Sequence, residues 1–481
     1  TFAKRANASS DAYFLGGRSL GPWVTAMSAE ASDMSGWLLM GLPGLAYWCG
    51  IADAAWTAIG LAVGTYINWL IVSKRLRRYS MRAGNAITLP EYFSNRFHEK
   101  GKVIMTIAAL FILIFFTVYA ASCLVTCGKL FSTLFDMPYI PMMIVGAVFV
   151  LVYTLIGGFL AESASDFMQA LVMIIALGVI VFVGTTAAGG LDAVIDNVRS
   201  IPSFLEFFGI ATPETVDGVQ QVAAGTPLFG EGTSYGALSV VSALAWGLGY
   251  FGVPQVLLRF MAIRSERELT MSRRIATVWV VISLTIAVFI GVVGRSLYPS
   301  ALLTSSEAEN VFILLATSLL PPLLAGFVMA GILAATISSS DSYLLIAASA
   351  FSKNIYQGLF RKKASDKEVL RVSRLTLLLI AVVAIVIALD ENSVIFTIVS
   401  FAWAGFGAAF GPLMLLSLYW KRTNLPGAVA GMLTGAIGVV VWHELIKPLG
   451  GIFGVYELLP CFFLSLIVIV IVSKLTAEPS K

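Results

Sequence analysis

The 481-residue chain has little charge: Asp, Glu, Lys and Arg together make up 12% of it, about half the share of a soluble domain. So few charges cannot cover the surface of a soluble protein this large. Cysteine is also scarce, with four residues (Cys49, Cys123, Cys127, Cys461), no CxxC pair and only two histidines, His98 and His443. That excludes a disulfide framework and a zinc site, and leaves a Ser-His hydrolase without a well-placed base. A net charge of +4 would suggest a weak nucleic-acid or anionic-surface partner only if spread evenly, so what matters is where the positive charges sit; no nucleic-acid partner is expected. The start, TFAKRANASSDAYFLGG, lacks a secretory signal pattern. What the chain has in abundance is apolar residues, at 58%. The reading is an all-α polytopic membrane protein.

A helical crossing needs about 20 mostly apolar residues. Twelve stretches qualify: 20–44, 46–73, 103–131, 139–160, 164–188, 234–262, 275–296, 321–352, 373–390, 393–419, 425–446 and 455–473. Short hairpins join most of them, so 1–481 reads as one transmembrane domain. The longest segment outside the membrane, 189–233, is rich in Gly, Pro and acid, and reads as an external loop with one short helix. With these spans, 27 of the 31 Lys and Arg residues fall on one side, including Lys4, Arg5, Arg18, the loop 74–102, the run from Arg259 to Arg274, and Lys481. Only Lys129, Arg199, Arg295 and Lys447 fall on the other. The basic side is cytoplasmic by the positive-inside rule, so both ends of this chain are expected inside. The Asn7-Ala8-Ser9 sequon, on that side, is uninformative.

Two spans carry helix breakers at mid-membrane. Span one reads SAEASDMSGWLLMGLPG (28–44), with Glu30 and Asp33 beside Ser35 and Gly36. Span six reads WGLGYFGVP (246–254), with three glycines and a proline. Glycine and proline weaken helix interiors, and the freed backbone groups need partners inside the protein. Both spans are expected to be discontinuous. Span one opens five spans and span six opens the next five, so the second set crosses in the opposite sense. Interrupted helices at matching places of inverted repeats (20–188 and 234–419, with two further helices in 425–473) point to a transporter site at mid-bilayer. GLGYFG (247–252) also fits GxGxxG, but no strand precedes it, so a dinucleotide site is set aside. GAAFG (407–411) fits close helix packing.

Span eight reads LAATISSSDSYLL (333–345), and Ala335, Ser338, Ser339 and Ser342 recur at helical spacing. A stripe of carbonyl and hydroxyl oxygens can replace the water around a sodium ion. Such serines also simply bond the backbone one turn back. Six acids lie in or at the edge of spans: Glu30, Asp33, Asp53, Glu162, Asp166 and Asp341. Asp at mid-helix costs about 2.5–3.5 kcal/mol to insert, so these are functional candidates. Asp53 and Glu162 lie near span ends, where solvation explains them. Trp37, Tyr119, Trp246 and Tyr250 either clamp an organic solute or pack the core.

The strings YFLGGRSLGPW, SDMSGWLLMGLPG, TLIGGFLAESASD, WGLGYFGVPQVLLRFMA, LAATISSSDS and FAWAGFGAAFGP resemble the sodium/solute symporter family, above all its bacterial proline carriers. The resemblance runs from Tyr13 to the last span. It implies a five-plus-five inverted-repeat (LeuT-type) core with discontinuous helices one and six plus two C-terminal helices, and sodium-coupled import of L-proline across a bacterial cytoplasmic membrane. It places sodium on Ala31, Met34, Ala335, Ser338 and Ser339. Substrate is placed among Ser35, Gly36, Trp37, Tyr119, Trp246, Tyr250, Pro254 and Gly326. Asp33 is implied in coupling, and Asp166, Asp341 and Ser342 in a second cation site. Glu30 departs from the small residue expected there: it either carries a proton, pairs with a cationic substrate or faces a water-filled vestibule, the last being the preferred reading. Family members usually start with an additional helix, so an N-terminal helix is expected to be missing here. Relatives also carry sugars, sialic acid, pantothenate and iodide, so another small solute is the alternative cargo. No obligatory protein partner is implied. An intramembrane aspartyl protease would need YD or GxGD contexts that Asp33 and Asp166 lack, and a passive pore would neither saturate nor depend on sodium.

Overall fold

A computed structural model describes residues 9–156 and 158–477. Lys4, Arg5, Asn7, Ala8 and Lys481 lie outside the described residues. Helices occupy all twelve predicted stretches. Among the described residues nine are long and apolar enough to cross a membrane, ten with one bent pair counted as a span. The remaining two are the broken span one and the shorter span four, Tyr139–Ile156. Helices dominate because lipid leaves no water to satisfy backbone N–H and C=O groups, which must pair within the segment.

Span one runs as Pro22–Gly36, a π-turn at Trp37–Gly41, then Leu42–Cys49. The interruption sits at Ser35, whose φ of 47° and ψ of −167° lie outside helical space and are rare for any residue with a β-carbon. Gly36 beside it lies so close to the Thr126 side chain of span three (Val103–Phe135) that a β-carbon would overlap it. In span six, Ala237–Phe251 and Pro254–Ala262 meet at 41°. Gly247 there packs against the backbones of Gly60 and Gly64 in span two, Ile51–Ile71, an approach that side chains would prevent. Gly407 of span ten (Ile395–Tyr419) packs on Gly249 in the same way.

Span five is Phe159–Ala187, and span seven ends at Leu297. Span eight is longer than its apolar run: Pro322–Ser349 continues as a π-helix over Ala350–Phe360. Spans nine, eleven and twelve are Asp366–Ile387, Leu425–Leu449 and Leu458–Leu475. The segment 189–233 holds the expected short helix, Leu191–Val198, and also three antiparallel ladders that sequence reading missed. Gly209–Ile210 pairs with Thr233–Ser234, Thr215–Val216 with Val219–Gln220, and Val222–Ala223 with Thr226–Pro227. Two-residue strands are too short to show alternation.

Three basic residues counted as loop charges are in fact buried. Arg259 is 0% exposed, Arg295 1% and Lys129 6%. Arg295 is held by the carbonyls of Tyr47 and Pro299 at 2.9 and 2.6 Å. Lys129 pairs with Glu309 at 2.8 Å, and Glu309 also accepts from the Ile395 and Phe396 N–H groups that open span ten. That carboxylate satisfies helix-start donors and the ammonium together, joining three segments at one end of the fold.

Candidate functional site

The unwound stretch of span one faces span eight. The Ser338 hydroxyl donates to the Ala31 carbonyl at 2.8 Å and reaches the Ala335 carbonyl at 3.0 Å. Ser339 donates to the same Ala31 carbonyl at 3.2 Å. Four of the five expected ligands thus meet, as two carbonyls and two hydroxyls, all fully buried. The fifth, the Met34 carbonyl, accepts from the Trp37 N–H across the break. Hard, uncharged oxygens from two helices are the donor chemistry a desolvated alkali cation takes. The alternative reading of the serines, bonding one turn back, holds for part of Ser338's contacts; the bonds to Ala31 span two helices.

Asp33, on the same turn of span one, points to span six. Its Oδ2 accepts from the Tyr250 hydroxyl at 2.8 Å and its Oδ1 from the Gln255 amide at 3.3 Å. Above them is an aromatic layer. Trp37 and Trp246 have ring centroids 5.4 Å apart, Phe396 lies 5.8 and 5.1 Å from each, and Tyr456 stacks on Trp246 at 5.1 Å. Trp403 meets Tyr250 edge-on at 5.0 Å and donates to the Trp246 carbonyl at 2.8 Å. Tyr119 stacks on Tyr343 at 4.2 Å. Ser35 accepts from the Trp37 N–H at 3.2 Å, and Pro254 opens the second half of span six. A cavity of about 310 Å³ lies against this layer, lined by Trp246, Phe396 and Tyr456 and by the charged Asp53 and Lys447.

Gly326 does not join the cluster. It is exposed near the start of span eight, where a β-carbon would meet nothing within 4 Å; it lies more than two helical turns before Ala335, too far along the rod to share its level. Glu30 is not in a wet vestibule either. It is 1% exposed, with the Trp69 indole donating to Oε1 at 3.3 Å.

The acids expected at a second cation site are arranged differently from expectation. Asp166 and Ser342 do come together, but around Arg259. The guanidinium donates to Asp166 Oδ2 at 3.2 Å, to Ser342 Oγ at 2.8 Å and, through Nε, to Ser28 Oγ at 3.0 Å. It also pairs with Glu162, which accepts from Ser342 as well. Glu162 is therefore not a solvated span end: it is 3% exposed. Asp341 is 2% exposed, and neither of its oxygens has a hydrogen-bond partner among the described residues. The sequence assigned Glu162 to a solvated span end and Arg259 to a loop, and it singled out none of Gln255, Phe396 and Trp403. The spacing of Glu162 and Asp166, four apart on one helix face, with an arginine inside the apolar string WGLGYFGVPQVLLRFMA, was the available signal.

Broken helices with oxygens and aromatics converging at their breaks define a secondary transporter of the LeuT-type fold. A sodium-coupled sialic acid symporter, solved substrate-bound and outward-open, superposes with a TM-score of 0.75 at 17% identity, covering 100% of this chain and 95% of its own. A nucleobase-cation-symport-1 family transporter in a closed conformation gives 0.54 at 14%, covering 98% and 96%. The model of the sodium:solute symporter family matches residues 13–435, and the chain belongs to that family. The osmoregulated proline transporter OpuE of Bacillus subtilis is 41% identical, over 98% of this chain and 90% of its own length. The sodium/proline symporter of Staphylococcus aureus is 41% identical, over 99% and 89%. The chain is a membrane transporter and not an enzyme.

Proposed function

We propose that this protein imports L-proline together with sodium across a bacterial cytoplasmic membrane, with both ends of the chain inside. The observation that carries the coupling is the meeting of the Ala31 carbonyl with Ser338 and Ser339. Identity of 41% to two proline carriers supports the cargo, and the one-sided Lys and Arg distribution supports the orientation. The repeats are taken as 20–188 and 234–419, with 425–473 added to the core.

The proposed cation site comprises the Ala31, Met34 and Ala335 carbonyls with the Ser338 and Ser339 hydroxyls. Sodium there replaces hydroxyl-to-carbonyl hydrogen bonds with stronger ion–dipole contacts, drawing spans one and eight together. The same turn of span one carries Asp33, which holds Tyr250 and Gln255. Fixing that turn therefore fixes the start of the second half of span six. Proline is placed at the breaks, its ring against Trp37, Trp246 and Tyr250 and its polar groups toward Ser35 and the backbone at Gly36 and Pro254. Tyr119 closes one side.

Transport follows from differential affinity: with both ligands bound the occluded state is favoured, and release inside follows when the cation leaves. Across 100 mV one charge contributes about 2.3 kcal/mol. A tenfold sodium gradient adds about 1.4 kcal/mol, so one sodium sustains a several-hundred-fold proline gradient. The test is uptake of radiolabelled L-proline into proteoliposomes with and without an inward sodium gradient. Accumulation that needs the gradient establishes the activity; none by inserted protein overturns it.

A further inference from the structure

We infer that a cavity at the end of span ten binds the phosphodiester headgroup of an anionic phospholipid from the cytoplasmic leaflet. The cavity holds about 380 Å³, within the range of small-ligand sites. Arg75, Arg82, Arg96, His98, Lys421 and Tyr419 line it, and among the described residues no Asp or Glu does. Arg75 and Arg82 belong to the helix Ser73–Arg82 that follows span two, and Arg96 ends the helix Leu89–Arg96 ahead of span three. Lys421 lies just beyond span ten. All are on the side proposed above as cytoplasmic, and the inference rests on that orientation for the leaflet it names.

Basic residues at this face are ordinarily solvated or matched by acids. Arg78 pairs with Glu266, Arg264 with Glu268 and Arg361 with Glu368. Among the described residues no acid pairs with Arg75, Arg82, Arg96 or Lys421; neutral groups hold the guanidiniums instead. Arg75 donates through Nη1 to the Leu418 carbonyl at 3.2 Å and lies 4.0 Å over the Tyr419 ring. Arg96 donates through Nε to the Ser417 carbonyl at 3.0 Å and lies 5.4 Å over Phe97. Arg82 lies 5.9 Å over the Tyr79 ring. Arg75 and Arg96 thus each spend one of five donors on the protein, leaving the rest for a ligand. Guanidinium forks held in place with unmatched charge suit phosphate oxygens, which they bind in pairs. A lipid phosphate is favoured over a free one by position. Tyr419 and Trp420, also in the cavity wall, end span ten as aromatics do at the headgroup level. Basic pockets between membrane helices on the cytoplasmic side take anionic headgroups for the same electrostatic reason. A phosphate there ties the segments after span two and before span three to the end of span ten.

The test is native mass spectrometry of the purified full chain titrated with phosphatidylglycerol or with phosphatidylcholine. Phosphatidylglycerol is expected to be retained in preference. Arg82→Gln with Lys421→Gln removes two charges that make no hydrogen bond among the described residues, and is expected to weaken phosphatidylglycerol binding roughly 30-fold. Lys362→Gln with Lys363→Gln removes the same charge from exposed positions ahead of span nine and is expected to leave binding unchanged. Equal retention of the two lipids, or equal losses in the two pairs of variants, overturns the inference. Inorganic phosphate that displaces phosphatidylglycerol at equal concentration overturns the lipid as occupant. Should the Arg82–Lys421 double variant fail to fold, Lys421→Gln alone is expected to weaken binding about fivefold, and no loss overturns the inference. Binding is read without transport, so a protein that takes up proline but shows no lipid preference loses this inference and keeps the proposed function.

Discussion

The Tyr250 hydroxyl donates to Asp33 Oδ2 at 2.8 Å across the two broken helices. Both groups are buried, and the residues are 217 positions apart. The acid sits on the turn of span one that carries Ala31, and the phenol on the turn of span six that carries the Trp246 layer. The proposed cation site and the proposed solute site are therefore joined by one hydrogen bond, supported by Gln255 on the second oxygen.

Asp33→Asn keeps the volume of the side chain but weakens both bonds, since an amide oxygen is a poorer acceptor than a carboxylate. Sodium-driven proline accumulation is expected to fall to background while the protein still inserts and runs as a monodisperse species on size exclusion. Tyr250→Phe is expected to lose less than Asp33→Asn, because Gln255 still reaches Oδ1. Equal losses would show that Gln255 contributes nothing.

Replacing Ser338 and Ser339 together by Ala removes two oxygens from the Ala31 cluster. At about 1.4 kcal/mol for each lost ligand, roughly tenfold apiece, half-maximal sodium is expected to rise by about 100-fold in the uptake assay. An unchanged sodium requirement would refute the assignment. The Ser342→Ala change is expected to have a smaller effect, because Ser342 faces Arg259.

Trp246→Ala opens the aromatic layer against Trp37, Phe396 and Tyr456. The half-saturating proline concentration is expected to rise at least about tenfold from lost ring contacts, with sodium activation nearly unaffected. Gly249→Ala attacks the same region sterically, because its β-carbon would overlap the Trp403 indole. It is expected to abolish uptake, whereas Gly326→Ala, with open space around it, is expected to be silent.

Lys129 and Glu309 form a pair with side chains only 5% and 2% exposed. Removing one member leaves the other charge buried, which costs about 3–5 kcal/mol in soluble proteins. Lys129→Met is expected to lower the unfolding temperature in detergent by several degrees, and Lys129→Met with Glu309→Gln to recover part of the loss. No change in either variant would show that water reaches the pair.

The breaks were legible because Gly, Ser and Pro at mid-span are a local property. The serine stripe was legible because helical spacing alone puts Ala335, Ser338 and Ser339 on one face. Ser342 belongs to that stripe too, yet its partner proved to be Arg259. That arginine sits in an apolar string near the end of a span and is counted as a loop charge by any rule that follows position along the chain. Its partners, Glu162 and Asp166, lie more than 90 positions away. No local pattern says which acids it will meet.

By itself the sequence determined that this is a helical membrane protein of the sodium:solute symporter family, with two interrupted helices, because hydropathy, breakers and strings are written residue by residue. Tertiary structure decided the charge pairing. A buried ion in lipid must be neutralised by whatever the packing brings within reach, and packing joined Arg259 to spans one, five and eight, while among the described residues no Lys or Arg hydrogen-bonds to the Ala31 carbonyl or the Ser338 and Ser339 hydroxyls. It also put Gly326 outside the cluster and buried Glu30 against Trp69, since direction around a helix and depth in the bundle depend on neighbours the chain meets only after folding.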